Sequence, residues 1–204
     1  MYTYDMELLV LAGVVAPLWM FLGVIIVARF YPGYSHRHQV MSELGARNRA
    51  TTKIHPWINN FPIGFWFVLF GVVLLNIEST NTLLFLTGIL MMVQGVSHWV
   101  TGLFPCDEDL GIAKPSKAQV IHNLAGLVMY FSLLVACLLW VIKQHNLHQW
   151  FTLYSAASAA ISVITLVLML HALKTNINLG FYQRINYGVL AVWVMVLSVI
   201  LMIG

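Results

Sequence analysis

The sequence predicts an all-α polytopic membrane protein: one domain, a bundle of six transmembrane helices with both termini outside the cytoplasm. Three observations carry that expectation. Of the 204 residues, 60% are hydrophobic and only 8% charged, whereas a soluble domain keeps about 25% charged residues to stay solvated. Six apolar stretches approach the ~20 residues that cross a hydrocarbon core as a helix, roughly 8–28, 62–77, 82–103, 119–142, 151–173 and 187–203. The basic residues then fall almost wholly in alternate connections, which is the pattern that sets orientation in a membrane.

The first stretch resembles a signal peptide only in position. Its flank MYTYDMELL carries Asp5 and Glu7 with no Lys or Arg, the wrong charge for a secretory leader, so it is expected to remain as a helix. Pro17 inside it is tolerable, because neighbouring helices can re-satisfy the freed backbone. The 29–61 connection carries Arg29, Arg37, Arg47, Arg49 and Lys53, the 104–118 loop Lys114 and Lys117, and the 174–186 loop Lys174 and Arg184. Only Lys143 lies on the opposite side, so nine basic residues face one. The positive-inside rule makes the first set cytoplasmic. The net charge of +3 is therefore an orientation signal, and a nucleic-acid partner is excluded. Trp140 and Trp150 are expected at the outer boundary and Trp57 and Trp99 at the inner one, as belt residues. The 29–61 connection is long for a helix–helix join; YPGYS within it reads as a turn, and Ser42 to Ile54 as a short interfacial helix whose basic side chains meet anionic headgroups. No repeat relates the two halves of the chain. Cys106 and Cys137 lie at levels separated by roughly 22 Å of helix, so no disulfide joins them.

This topology puts His36, His38, His55, His98, His122 and His171 in the cytoplasmic half and leaves His145 and His148 outside. In the third stretch Gly88, Gly95 and Gly102 recur every seven residues, a drift of only about 20° per step, and form the small-residue seam that lets another helix approach. His98 lies about 40° from Gly102 at 100° per residue, facing the bundle, with Ser97 near the same seam. His122 and Asn123 open the fourth stretch, where Gly126, Met129, Leu133 and Ala136 form a slim face suited to packing on the third. The connecting hairpin holds Asp107 and Asp109. An ionisable side chain turned inward at membrane depth is by default a functional candidate. The ligand-binding candidates are thus Ser42, Ser97, His98, Asp107, His122 and Asn123. His98, His122 and Asp107 are candidate ligands of one zinc ion with a position left for water, and Ser42, Glu43 and Asp107 are the catalytic candidates if the site reacts. The same two histidines are the one pair placed to ligate a single haem. His171 points away from the polar stripe Ser155, Ser158, Ser162 and Thr165 and is expected to snorkel.

The run YPGYSHRHQVMSELGA, followed by GLFPCD and a histidine opening the next helix, resembles bacterial integral-membrane proteins grouped as domain-of-unknown-function family 998. The resemblance rests on Ser42, Glu43, Leu44 and Gly45, then Gly102, Phe104, Pro105 and Asp107, then His122, with Glu43 standing where that family often has Asp. It implies about six helices and no established activity. A looser similarity runs to alkaline-ceramidase-like membrane hydrolases, but their paired histidines one turn apart on a late helix are missing, since only His171 is available.

Three functions follow from these residues. The first is binding of a lipid or small amphiphile in a cytoplasm-facing pocket of an inner-membrane protein, with Ser42, His98, Asp107 and His122 lining it. A metal-dependent lipid hydrolase would use the same pocket, with Asp107 or Glu43 as base. A proton-coupled transporter would use His98 as its relay, although such sites usually lie near the midplane. Membrane lipids are the expected partners, and the oligomeric state is left open.

Overall fold

The computed structural model describes residues 9–77, 80–109, 114–142, 149–175 and 177–203. Its regular elements are helical: α1 (Ala12–Ala28), α2 (Phe61–Ile77), α3 (Thr82–Leu103), α4 (Lys117–Ile142), α5 (Gln149–Thr175) and α6 (Leu179–Ile203). A 3₁₀ turn at Met41–Gly45 and a π turn at Pro56–Asn60 interrupt the connection between α1 and α2. Counting the π turn with α2, five helices are long and apolar enough to cross a membrane, and α1 is a shorter apolar helix. The protein is a multi-pass membrane protein. Each helix packs on its neighbours in the chain, and α6 closes the ring onto α1.

Between helices in lipid there is little hydrophobic drive, so close fit and hydrogen bonds hold the bundle. The expected glycine seam of α3 is one such fit, and α2 answers it with glycines of the same spacing. A Cβ on Gly71 would sit 2.5 Å from the Gly88 carbonyl oxygen, and one on Gly88 would sit 2.8 Å from that of Gly71. Gly64 and Gly95 oppose each other in the same way one repeat along. At the end away from the long loops, indole N–H groups supply the bonds: Trp140 donates to Thr87 Oγ1 at 3.1 Å and Trp193 to Ser155 Oγ at 2.8 Å. Trp140 is buried against Phe151. It is a core residue rather than a member of an interfacial belt, because its N–H finds a partner on α3. The serine stripe of α5 is buried as expected, and Asn186 donates into it at the Ser162 carbonyl, 2.6 Å away.

Two further expectations are corrected. The sixth helix begins at Leu179 rather than 187, so Gln183, Arg184 and Asn186 lie on helix and not in a loop. They escaped a hydropathy reading because their polarity is matched by protein, not water. Ser42 to Ile54 does not form an interfacial helix; it is a 3₁₀ turn followed by tight turns. Asn48 adopts a left-handed conformation (φ 62°), and such a residue breaks a right-handed helix. Instead the loop is tied down along its length. Gly180 and Phe181 donate backbone N–H groups to the carbonyls of His38 and Arg37, and Met41 N–H donates to Gln183 Oε1 at 2.7 Å. Arg184 binds the Gln39 carbonyl at 2.9 Å and the Tyr34 hydroxyl at 2.7 Å. Lys143, His145 and His148 lie outside the described residues.

The π turn has a local cause. Pro62 has no N–H to give the carbonyl four residues back, Ile58, so the turn widens and Phe61 N–H bonds Pro56 instead. The freed Ile58 carbonyl accepts from Trp19 Nε1 at 2.7 Å. The widened turn directs Asn59 and Asn60 into the bundle, where both are buried.

Candidate functional site

At the loop-bearing end the ring is hollow. A cavity of about 520 Å³ is lined by α1, the 40–42 segment, His55, the π turn, the start of α2 and α3 to α6, within the size range of small-molecule sites. Its polar wall is drawn from His55, Asn59, Asn60, His98, Thr101, Gln119, His122, Asn123, Gln183 and Asn186, and its apolar wall from residues such as Met20, Ile63, Leu127, Phe131 and Leu170. Among the described residues lining it there is no Asp, Glu, Lys or Arg.

His98 stands as the angular count places it, buried and facing the bundle. Its ring stacks on Phe67 at 5.9 Å, and its Nε2 lies 3.3 Å from Gln94 Nε2. Ser132 Oγ lies 3.0 Å from Gln94 Oε1 and 2.9 Å from the Met129 carbonyl, which ties the Gln94 amide beside His98 to α4. His122 Nδ1 lies 2.8 Å from the Phe104 carbonyl oxygen. A carbonyl only accepts, so His122 carries a proton on Nδ1. The third imidazole is His55, which the sequence placed in a polar loop. It is buried, with Nε2 3.1 Å from Asn59 Nδ2. Burial, with smaller repulsion from His122 and His98, pushes its pKa down to about 3.

The remaining expected residues divide. Ser42 and Asn123 line the cavity, and Asn123 Oδ1 accepts from Gln119 Nε2 at 2.8 Å. Ser97 is buried on α3 but is not part of the lining. Glu43 turns back on its own 3₁₀ turn, accepting from Val40 N–H at 3.0 Å and Gln39 Nε2 at 2.9 Å. This is one half of a capping box, since Val40 has no side-chain acceptor to return the bond. Asp107 also stays outside the lining. Its carboxylate accepts from Ser116 N–H at 2.8 Å, with Arg47 at 3.7 Å, while its own N–H donates to Gln119 Oε1 at 2.5 Å. The bonds from Ser116, reinforced by Arg47, hold its carboxyl below the usual carboxylate range. Asp107 thus clips the hairpin to the start of α4 and orients Gln119, which reaches the cavity. His171 is exposed. Gly126 does not pack on α3: nothing lies within 4 Å of where its Cβ would be, and its carbonyl accepts from Tyr187 at 3.1 Å. No three of His, Cys, Asp and Glu among the described residues are grouped so as to hold a metal ion, so His98, His122 and Asp107 are not assembled as zinc ligands.

Asn59, Asn60, Gln183 and Asn186 were missed. The signal for the first two is the Asn-Asn pair directly before Phe61-Pro62, which reads as loop polarity but lies on a helical turn. For the others it is helical spacing of Asn186 with the apolar positions that follow.

The two short motifs that carried the family resemblance touch each other. Arg47 N–H donates to the Cys106 carbonyl at 3.0 Å, and Cys106 Sγ donates to the Ser42 carbonyl at 3.3 Å. Burial pushes the Cys106 thiol up to about 12, so it is a packing group and not a nucleophile. The first motif contributes Ser42 to the cavity lining, and the second fastens that segment in place. No curated protein and no solved structure matches the chain. The family model described as "Protein of unknown function (DUF998)" matches residues 14–200, and the chain therefore belongs to the DUF998 family.

Proposed function

We propose that the protein binds a lipid or other small amphiphile in this cavity, at the cytoplasmic face of the inner membrane. The observation that carries the reading is the mixed character of the lining. Imidazoles and carboxamides come from His55, the π turn, α3, α4 and α6, and aliphatic and aromatic side chains chiefly from α1, α4 and α5. A few convergent polar groups in a mostly apolar cavity fix the orientation of a small ligand. The cytoplasmic assignment rests on the basic residues around the same end, which the positive-inside rule retains there.

Native mass spectrometry of protein extracted in a mild detergent tests the proposal. The expected result is a lipid that stays bound through desolvation and is lost from the His98→Ala and Asn60→Ala variants. A folded preparation that carries no lipid and shows no saturable binding of a fluorescent lipid would overturn it.

A further inference from the structure

Resting on the reading that the cavity holds an amphiphile, we infer its chemical class and its route: an uncharged, hydroxyl-bearing headgroup that arrives sideways from the bilayer through a gap between α4 and α5.

The headgroup follows from what the wall can and cannot pair. Every polar side chain on it is a neutral amide, hydroxyl or imidazole, and a charge moved into such a site is costly without a counter-ion. The neighbouring guanidinium groups are engaged elsewhere. Arg184 binds the Gln39 and Gly180 carbonyls and the Tyr34 hydroxyl, Arg47 lies beside Asp107, and Arg49 lies beside Glu108. A hydroxyl both donates and accepts. It therefore suits a wall that mixes carboxamide, hydroxyl and imidazole groups.

The route follows from exposure. Leu127 and Phe131 on α4 and Leu170 and Leu173 on α5 line the cavity, and each is about half exposed. Between them the helix surface is thin, because Gly126 faces open space. Nearer the other end α4 and α5 do meet, through Cys137 Sγ donating to the Ser155 carbonyl and Trp140 packing on Phe151. Val40, Met41 and Ser42 line the cavity from the 34–46 segment. The half-exposed α4–α5 side is the one that would meet acyl chains, and a ligand with its head among Asn60, His98 and His122 would leave its chain in the gap.

Three probes sharing one fluorescent alkyl chain test this on the full protein in lipid nanodiscs: a monoacylglycerol, a fatty acid ionised at pH 8, and an alkyl trimethylammonium. The monoacylglycerol is expected to bind saturably and at least tenfold more tightly than either charged probe. Leu127→Trp and Leu170→Trp, which fill the gap from lipid-exposed positions, and Gly126→Leu, which fills it from the helix surface, are expected to slow its association at least fivefold. Leu138→Trp, lipid-exposed on the same helix but off the cavity, should leave the rate unchanged. Charged probes that bind as tightly as the neutral one overturn the headgroup assignment. Association rates unchanged in all three gap variants overturn the lateral route. Failure of every probe to saturate the wild-type protein overturns the amphiphile reading on which both rest.

Discussion

His55 packs its Nδ1 edge against Gly45, where a Cβ would lie only 2.6 Å away, and hydrogen-bonds Asn59 through Nε2. That enclosure leaves no solvation for a cation. The unfolded chain takes up the proton near pH 6.5, whereas the folded one does so near pH 3. On acidification the unfolded state therefore binds protons first, and stability falls as pH drops between those two values. From pH 7 to pH 5 the loss is about 2 kcal/mol. His55→Gln, which has nothing to protonate, should flatten the fall in Tm over that interval; a wild-type Tm as steep as before in the variant would refute the assignment. Residue-scale chemistry was partly legible in the sequence. His98 and His122 could be placed because each sits on an apolar helix, where angle and depth follow from counting. His55 could not, since a histidine among Arg, Lys and Thr reads as solvated until the loop is seen to fold inward.

At the scale of elements, the pairing of α2 with α3 rests on glycines whose carbonyls and Cα atoms meet across the seam. Gly95→Ala would press a methyl on the Gly64 carbonyl and Val68, and overpacking of this kind costs about 1–3 kcal/mol. Gly126→Ala meets nothing within 4 Å and should be neutral or stabilising by up to about 1 kcal/mol through helix propensity. Thermal unfolding of the two variants in one detergent checks the contrast, and equal shifts would sink it. The glycine spacing of α3 was readable from sequence, and so were the ends of that helix. The start of α6 was not. Its first turns are polar, and a scale that scores transfer into lipid cannot recognise side chains that transfer into protein.

For the whole molecule, the decisive structure is the connection between α1 and α2, which fastens to α6 through Arg184 and to the α3–α4 hairpin through Cys106. Length alone marked this segment as unusual, but its place beside the cavity depends on contacts between residues 64 to 150 positions apart in the chain. Both native thiols are buried, so the wild-type chain can serve as its own background for accessibility mapping. Glu108, exposed in that hairpin, is a suitable probe site. Glu108→Cys should react with a membrane-impermeant maleimide in inverted inner-membrane vesicles and not in intact spheroplasts. Labelling from the outside would reverse the orientation drawn from the basic loops and move the cavity to the other face.

The contact between Gly45 and His55 also has a consequence for descent. The ring occupies the volume that a side chain at residue 45 would need, so the glycine cannot be replaced while the histidine keeps its place. Across the family the two positions should vary as one inherited character: lineages that replace the glycine should also have shortened the histidine. Sequences gathered from relatives can be scored for that coupling without purifying any of them.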